Sequence, residues 1–303
     1  MTNAPAPQMS LIDWALLLIL SILWGGSFFF VQLAVGHLPA LTIVFLRVAI
    51  AASVLALVLR ITGTRFPQGW AVWRALAVMG LINNALPFTF FVLAQGQIGS
   101  ALASILNATT PLFTLIVAHL ATRDERLGWA KGLGLLVGFG GVVVMLGSAA
   151  LNGAGSAVLA QGACLAAAIC YALSTVWGKR FKAMGVPPMA TAFGMLCASS
   201  VMLLPLVAVV DRSWMLPVPG LLPLAAILGL AVFSTALAYL IYFRLLNRAG
   251  AVNLALVTFL IPVSAIALAV LILGEALLVR HILGFLMIVC GLAVIGTRFG
   301  RKA

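Results

Sequence analysis

The chain carries one hydrophobic plan twice, with an odd number of membrane-length runs in each copy. Apolar runs of about 20 residues, enough to cross a hydrocarbon core at about 1.5 Å rise per residue, number ten, five on each side of Leu151. The copies can be laid over one another directly. Glu125-Arg126-Leu127 with Gly134 and Gly141 falls on Glu275-Ala276-Leu277 with Gly284 and Gly291. Ser100-Ala101 through Pro111 falls on Ala251-Val252 through Pro262, and Phe91 falls on Tyr242. Trp24-Gly25-Gly26-Ser27 falls more loosely on Tyr171-Ala172-Leu173-Ser174. An odd count makes the second copy enter the membrane from the opposite face. The expected fold is therefore an all-α membrane protein of ten transmembrane helices, built from two inverted five-helix repeats over residues 1–150 and 151–303. Inverted repeats are a construction shared by many secondary transporters.

Composition excludes the soluble classes. A chain that is 64% hydrophobic and 7% charged, with a mean hydropathy of +1.25, has too much apolar surface for one water-soluble core. The formal charge of +12 does not point to nucleic acid, because basic runs interleaved with aromatics are absent. Residues 1–13 lack Lys and Arg, and no convincing small-residue cleavage site follows the first apolar run, so a cleaved signal peptide is not expected. Cys164, Cys170, Cys197 and Cys290 all fall inside predicted spans without metal or redox spacing, and read as small apolar residues.

The predicted spans are 12–34, 39–60, 70–92, 97–121, 128–147, 157–178, 188–210, 220–244, 251–273 and 281–297. Sorting the seventeen Lys and Arg by side tests the count. Fourteen collect on one side, Arg212 and Arg280 on the other, and Arg47 lies within a span. Basic residues mark the cytoplasmic face, so both termini are expected inside a bacterial inner (plasma) membrane. The loops are too short to fold separately, and function must sit among the helices.

Pro111 and Pro262 occupy matched mid-span positions. A mid-helix proline lacks an N–H and clashes with the carbonyl four residues earlier, here those of Asn107 and Thr258. Each kink is expected to leave a backbone oxygen beside a polar side chain near the midplane, as in a discontinuous helix that builds a substrate site. Asn83-Asn84, followed by Pro87, pairs across the repeat with Ser234-Thr235. Thr235, Tyr239 and Tyr242 share one helical face by four-then-three spacing, and Asn84 with Phe88 repeats that face in the first half. These groups either line a cavity or act as interhelical hydrogen bonds at about 1 kcal/mol or less each. Trp24, in mid-span, either faces a cavity or packs in the core. Arg47 lies roughly 12 Å along its helix from Pro39. An intramembrane charge is a functional candidate; Arg47 could bind a carboxylate or neighbouring carbonyl ends, or snorkel to the surface. Asp13, Asp124, Glu125, Asp211 and Glu275 all fall at span ends or in loops, which disfavours carboxylate proton carriers and a multi-carboxylate sodium site. The glycines of the fifth and tenth spans read as close helix contacts.

With Trp24-Gly25, the paired Pro111 and Pro262, and Glu125 and Glu275 before glycine-bearing final helices, the chain resembles the drug/metabolite transporter superfamily. It looks like an EamA-type member with ten helices, over nearly its whole length, and within that family an amino-acid exporter. The resemblance implies export of small metabolites, foremost aromatic and other neutral amino acids, through a central cavity by alternating access. From the polar and aromatic residues at similar depth in matched helices, the expected substrate-binding set is Trp24, Asn83, Asn84, Phe88, Asn107, Pro111, Tyr171, Ser174, Tyr239, Tyr242, Thr258 and Pro262, with Asn84 on the headgroup and Arg47 as a charge site. Some family members carry sugars or nucleotide sugars instead, and a channel is a further alternative. An intramembrane enzyme would need HExxH, paired intramembrane aspartates or a Ser/His pair, and none is present; His37, His119 and His281 fall in a loop or near span ends. No cofactor or metal is implied, no nucleic-acid partner is expected, and a monomer in the lipid bilayer is the expected unit.

Overall fold

A computed structural model describes residues 9–121, 128–147 and 155–296. Among the described residues ten helical spans follow one another. They are α1 (Leu11–Ala34), α2 (Ala40–Ile61), α3 (Trp70–Gln95), α4 (Ser100–Ala121) and α5 (Trp129–Leu146). The second five are α6 (Ser156–Ala183), α7 (Pro188–Asp211), α8 (Leu221–Gly250), α9 (Val257–Leu271) and α10 (Val279–Gly296). Glu125 of the repeat motif lies outside the described residues, as do Asp124 and the last basic cluster. Helix ends differ from the apolar runs for a physical reason. α6 and α8 continue through Lys179, Arg180 and Lys182, and through Arg244 and Arg248, because backbone hydrogen bonding does not stop where the hydrocarbon does. α8 ends at Gly250, whose φ of 79° turns the chain into α9.

The packing is closed under exchange of the repeats. The main contacts are α5 with α10, α1 with α9, α4 with α6, α3 with α6, α1 with α8, α2 with α7, α3 with α7 and α2 with α8. Replacing each helix by its counterpart five places on turns α1–α9 into α6–α4, α3–α6 into α8–α1, and α3–α7 into α8–α2. The α2–α7 and α5–α10 pairs map onto themselves. The last crossing gives the direction. A Cβ on Gly134 would lie 2.5 Å from the Gly291 carbonyl oxygen, and one on Gly141 would lie 2.5 Å from that of Gly284. The earlier glycine of one helix meets the later glycine of the other, so α5 and α10 run antiparallel and the repeats are inverted. Lipid tails are as apolar as leucine, so close backbone approach at small residues supplies the attraction.

The acidic side chains close helix ends. Ser10 and Asp13 form a reciprocal cap on α1, and Arg248 Nε of α8 donates to Asp13 Oδ1 at 2.8 Å. Asp211 accepts the Thr42 N–H and hydroxyl, each at 2.7 Å, capping α2. Glu275 accepts the Ser100 and Ala101 N–H groups at 2.8 and 3.0 Å, capping α4. Asp13 thus ties α1 to α8, Asp211 ties α7 to α2, and Glu275 ties the turn after α9 to α4.

Gly141→Val and Gly284→Val should each destabilise the protein by about 1–3 kcal/mol or more, because the added carbons enter a filled crossing. Gly162→Val, where a Cβ meets nothing within 4 Å, should leave stability near wild type. Thermal unfolding of the detergent-purified variants checks both; equal behaviour of the three would remove the crossing as a determinant.

Candidate functional site

The same polar dipeptides that pair across the repeats sit in irregular turns. Leu81–Ala85 of α3 and Val232–Leu237 of α8 are π-helical, at matched positions, and a third π turn, Val207–Asp211, ends α7. Pro87 cannot donate to the Asn83 carbonyl, which loosens the first of these turns. Hydroxyls contact the carbonyls just ahead of both turns: Ser199 Oγ donates to Gly80 O at 2.9 Å, and Thr235 Oγ1 donates to Leu230 O at 2.8 Å. π turns interrupt an α-helix at few places, often at functional sites. The first two turn Asn83, Ser234 and Thr235 toward the middle of the bundle, whereas the third lies away from it.

Those side chains enclose a cavity of about 960 Å³, at the upper end of the range for small-molecule sites. Trp24, Phe88, Phe91, Tyr171, Tyr239 and Tyr242 make much of its wall, with Asn83, Ser174, Ser234 and Thr235 as polar points. Two aromatic contacts hold the walls and are related by the repeat. Trp24 meets Tyr242 with ring centroids 5.5 Å apart, and Tyr171 stacks on Phe91 at 6.2 Å. Asn83 is the polar hub. Its Oδ1 accepts the Ser174 hydroxyl at 2.8 Å and its Nδ2 donates to the Tyr239 hydroxyl at 3.3 Å, joining α3, α6 and α8.

Access is from one end. Lys182, Gly185, Val186, Pro187 and Pro188 around the α6–α7 turn line the cavity, as do Leu246 and Asn247 of α8, beside the Asp13–Arg248 ion pair. None of residues 35–39, 96–99, 212–220 or 272–278, which join helices at the other end, lines it. Toward that end Gln95 Nε2 donates to the Phe28 carbonyl at 2.8 Å and to Gln32 Oε1 at 3.2 Å, and Phe28 packs edge-on against Phe91 at 5.4 Å. The Glu275 cap on α4 lies beyond.

Arg47 of α2 reaches the cavity with only 8% of its surface exposed. Its Nε donates to Thr235 Oγ1 at 3.0 Å and its guanidinium carbon lies 3.6 Å from the Phe88 ring centroid. It does not snorkel, and among the described residues no carboxylate pairs with it.

The expected site residues are placed unequally. Trp24, Arg47, Asn83, Phe88, Tyr171, Ser174, Tyr239 and Tyr242 all line the cavity, with Asn107 and Thr258. Asn84 does not: it is fully buried and donates to Ser199 Oγ at 3.3 Å, joining α3 to α7. The π turn is the reason, since its five-residue step aligns Asn83 rather than Asn84 with Phe88. Pro111 and Pro262 are also outside the wall. α4 is interrupted at Ala108-Thr109, and Pro111 is the second residue of the resumed helix Thr110–Ala121, where a missing N–H orphans nothing. The Asn107 carbonyl is not open to a ligand, because Thr110 Oγ1 donates to it at 2.7 Å. In the second repeat the interruption comes at Ala255-Leu256 and α9 runs through Pro262, so the two breaks are not at matched positions. Gln95, Met79, Met195 and Phe243 line the cavity without having stood out in the sequence; Gln95 fell beyond the predicted span 70–92, whereas α3 runs on to it.

An all-helical inverted-repeat bundle around a mid-bundle cavity defines a membrane transporter. The chain belongs to the EamA-like transporter family, which it matches over residues 13–147 and 159–297. It is similar to an uncharacterized transporter of Archaeoglobus fulgidus, 26% identical over 282 residues, covering 93% of this chain and 98% of that one. It is also similar to a probable amino-acid metabolite efflux pump of Salmonella typhimurium, 27% identical over 314 residues, covering 97% and 99%. A crystal structure 22% identical to this chain shares the fold, with a TM-score of 0.67 and coverage of 97% of this chain and 100% of the other.

The two asparagines should separate. Asn84→Ala should cost about 1 kcal/mol of stability while leaving the ranking of transported substrates unchanged. Asn83→Ala, which frees Ser174 and Tyr239 into the cavity, should change that ranking. Thermal unfolding with competitive uptake measures both effects; a changed ranking in Asn84→Ala alone would reverse the assignment.

Proposed function

We propose that the protein is a secondary transporter of the bacterial inner membrane that exports small metabolites by alternating access, aromatic and other neutral amino acids foremost. The observation that carries this reading is the large aromatic-walled cavity that, among the described residues, reaches one end only. The end bearing Lys182 and Arg248 belongs to the side that collects fourteen of the seventeen basic residues, which supports a cytoplasmic position for it and for both termini. The cavity then faces the compartment from which an exporter loads. The efflux activity in the name of the Salmonella typhimurium relative supports the direction and the amino-acid class. Trp24, Phe88, Tyr171, Tyr239 and Tyr242 would hold the apolar part of the substrate, and Asn83, Ser174, Asn107 and Thr258 its polar end. Pro111 and Pro262 would serve as bending points of α4 and α9 as the repeats, residues 1–150 and 151–303, rock against each other. The cavity is built within a single chain, so the monomer is the proposed working unit.

The cavity volume favours a second reading, a larger metabolite such as a sugar or nucleoside, within the same mechanism. Counterflow in proteoliposomes tests both. Unlabelled internal substrate should accelerate entry of labelled external substrate, with phenylalanine or leucine ahead of sugars and nucleosides. Equal fluxes with and without internal substrate would mark a channel, and a sugar or nucleoside in first place would replace the amino-acid reading.

A further inference from the structure

Among the described residues the cavity has one buried charge, and it is positive. Arg47 is nine-tenths buried, one of its nitrogens is taken by Thr235, and the described residues lining the cavity include no Asp or Glu. Lys182, the other cation of the lining, stands at the open end. An unpaired buried charge is costly unless something compensates it, and guanidinium geometry matches a carboxylate through two parallel N–H donors. For an ammonium group the cavity offers neutral acceptors only. Gln95 Oε1 and Ser234 Oγ are buried without a hydrogen-bond partner and both residues line it. These can solvate an ammonium but cannot neutralise it.

We propose that Arg47 is the carboxylate-binding residue of the transport site, so that the ligand class is an apolar or aromatic monocarboxylate in which the α-amino group is optional. This rests on reading the cavity as the place where substrate is carried. A monocarboxylate leaves the Arg47 region neutral, with its aromatic or branched body against the ring walls and no further charge to desolvate. An amino acid satisfies the same contact and adds an ammonium held by neutral oxygens. An amine or amide of the same shape leaves Arg47 unpaired, and the amine brings a second positive charge beside it. Discrimination therefore falls on the carboxylate.

The test is equilibrium binding to the full-length protein in lipid nanodiscs, with phenylalanine, 3-phenylpropionate, phenethylamine and phenylalaninamide as probes. In the wild type the two carboxylates should bind within about tenfold of each other, and the amine and amide at least about tenfold more weakly. Arg47→Gln should weaken both carboxylates at least about tenfold, and Arg47→Lys should retain part of the affinity. Carboxylates that bind no better than the amine and amide, or unchanged by Arg47→Gln, would overturn the proposal, as would a wild type that binds neither carboxylate. If Arg47→Gln does not fold, the wild-type ranking and Arg47→Lys decide. Transport read in parallel separates the two levels. Arg47-dependent binding of 3-phenylpropionate without phenylalanine flux would remove the amino-acid reading alone, whereas wild-type phenylalanine flux in Arg47→Gln would remove the Arg47 assignment alone.

Discussion

Inside a bilayer a backbone N–H or C=O without a partner costs several kcal/mol, and no water is at hand to supply one. A departure from the α-helix is therefore kept where side chains, or a cavity that admits water, supply partners. Ser199 covers the Gly80 carbonyl, Thr235 covers that of Leu230, and Thr109 and Thr110 cover those of Leu106 and Asn107. Of these residues Thr235, Asn107 and Thr110 line the cavity. Thr235, which the sequence pairs with Tyr239 and Tyr242 on one face, has its hydroxyl donated to a backbone carbonyl of its own helix.

The inverted repeat supplies the second constraint. Because α5 and α10 cross through four glycines in antiparallel register, the two repeats meet through backbone at that seam. The aromatic pairs Trp24–Tyr242 and Tyr171–Phe91 repeat the symmetry at the cavity wall, each joining a helix of one repeat to a helix of the other. The symmetry is broken where access differs. One end is fastened by the Glu275 cap on α4 and the Gln95 bonds to α1, while the other opens between α6, α7 and α8. Symmetric halves holding an asymmetric state are what alternating access needs, since exchanging the two halves' conformations moves the opening to the other face.

Much of this was legible in the sequence. Ten spans, two copies and their opposed directions follow from apolar run length and an odd count, and the helices bear them out. Trp24 and Arg47 stood out because a mid-span indole or charge is unusual, and both reach the cavity. Asn84 was misplaced because four-then-three spacing assumes an α-helix, and Pro87, the one cue in Asn83-Asn84-Ala85-Leu86-Pro87, signals a loosened turn without saying which asparagine it turns inward. The Asn107 carbonyl was expected to be free because the proline rule counts lost donors and does not count a threonine hydroxyl three residues on. Gln95 escaped notice because its role depends on Phe28 and Gln32, in a helix more than sixty residues away.

Single-ended access is the point on which function turns, and it can be read directly. With the four native cysteines replaced, Ser174→Cys places one thiol on the cavity wall. Its alkylation by a membrane-impermeant maleimide is compared in intact cells and inside-out vesicles, with and without transported substrate. At rest the thiol should react from the cytoplasmic face and be protected from the outer face, and substrate should raise labelling from outside at the expense of labelling from inside. Equal reaction from both faces at rest would contradict alternating access and leave a continuous pore.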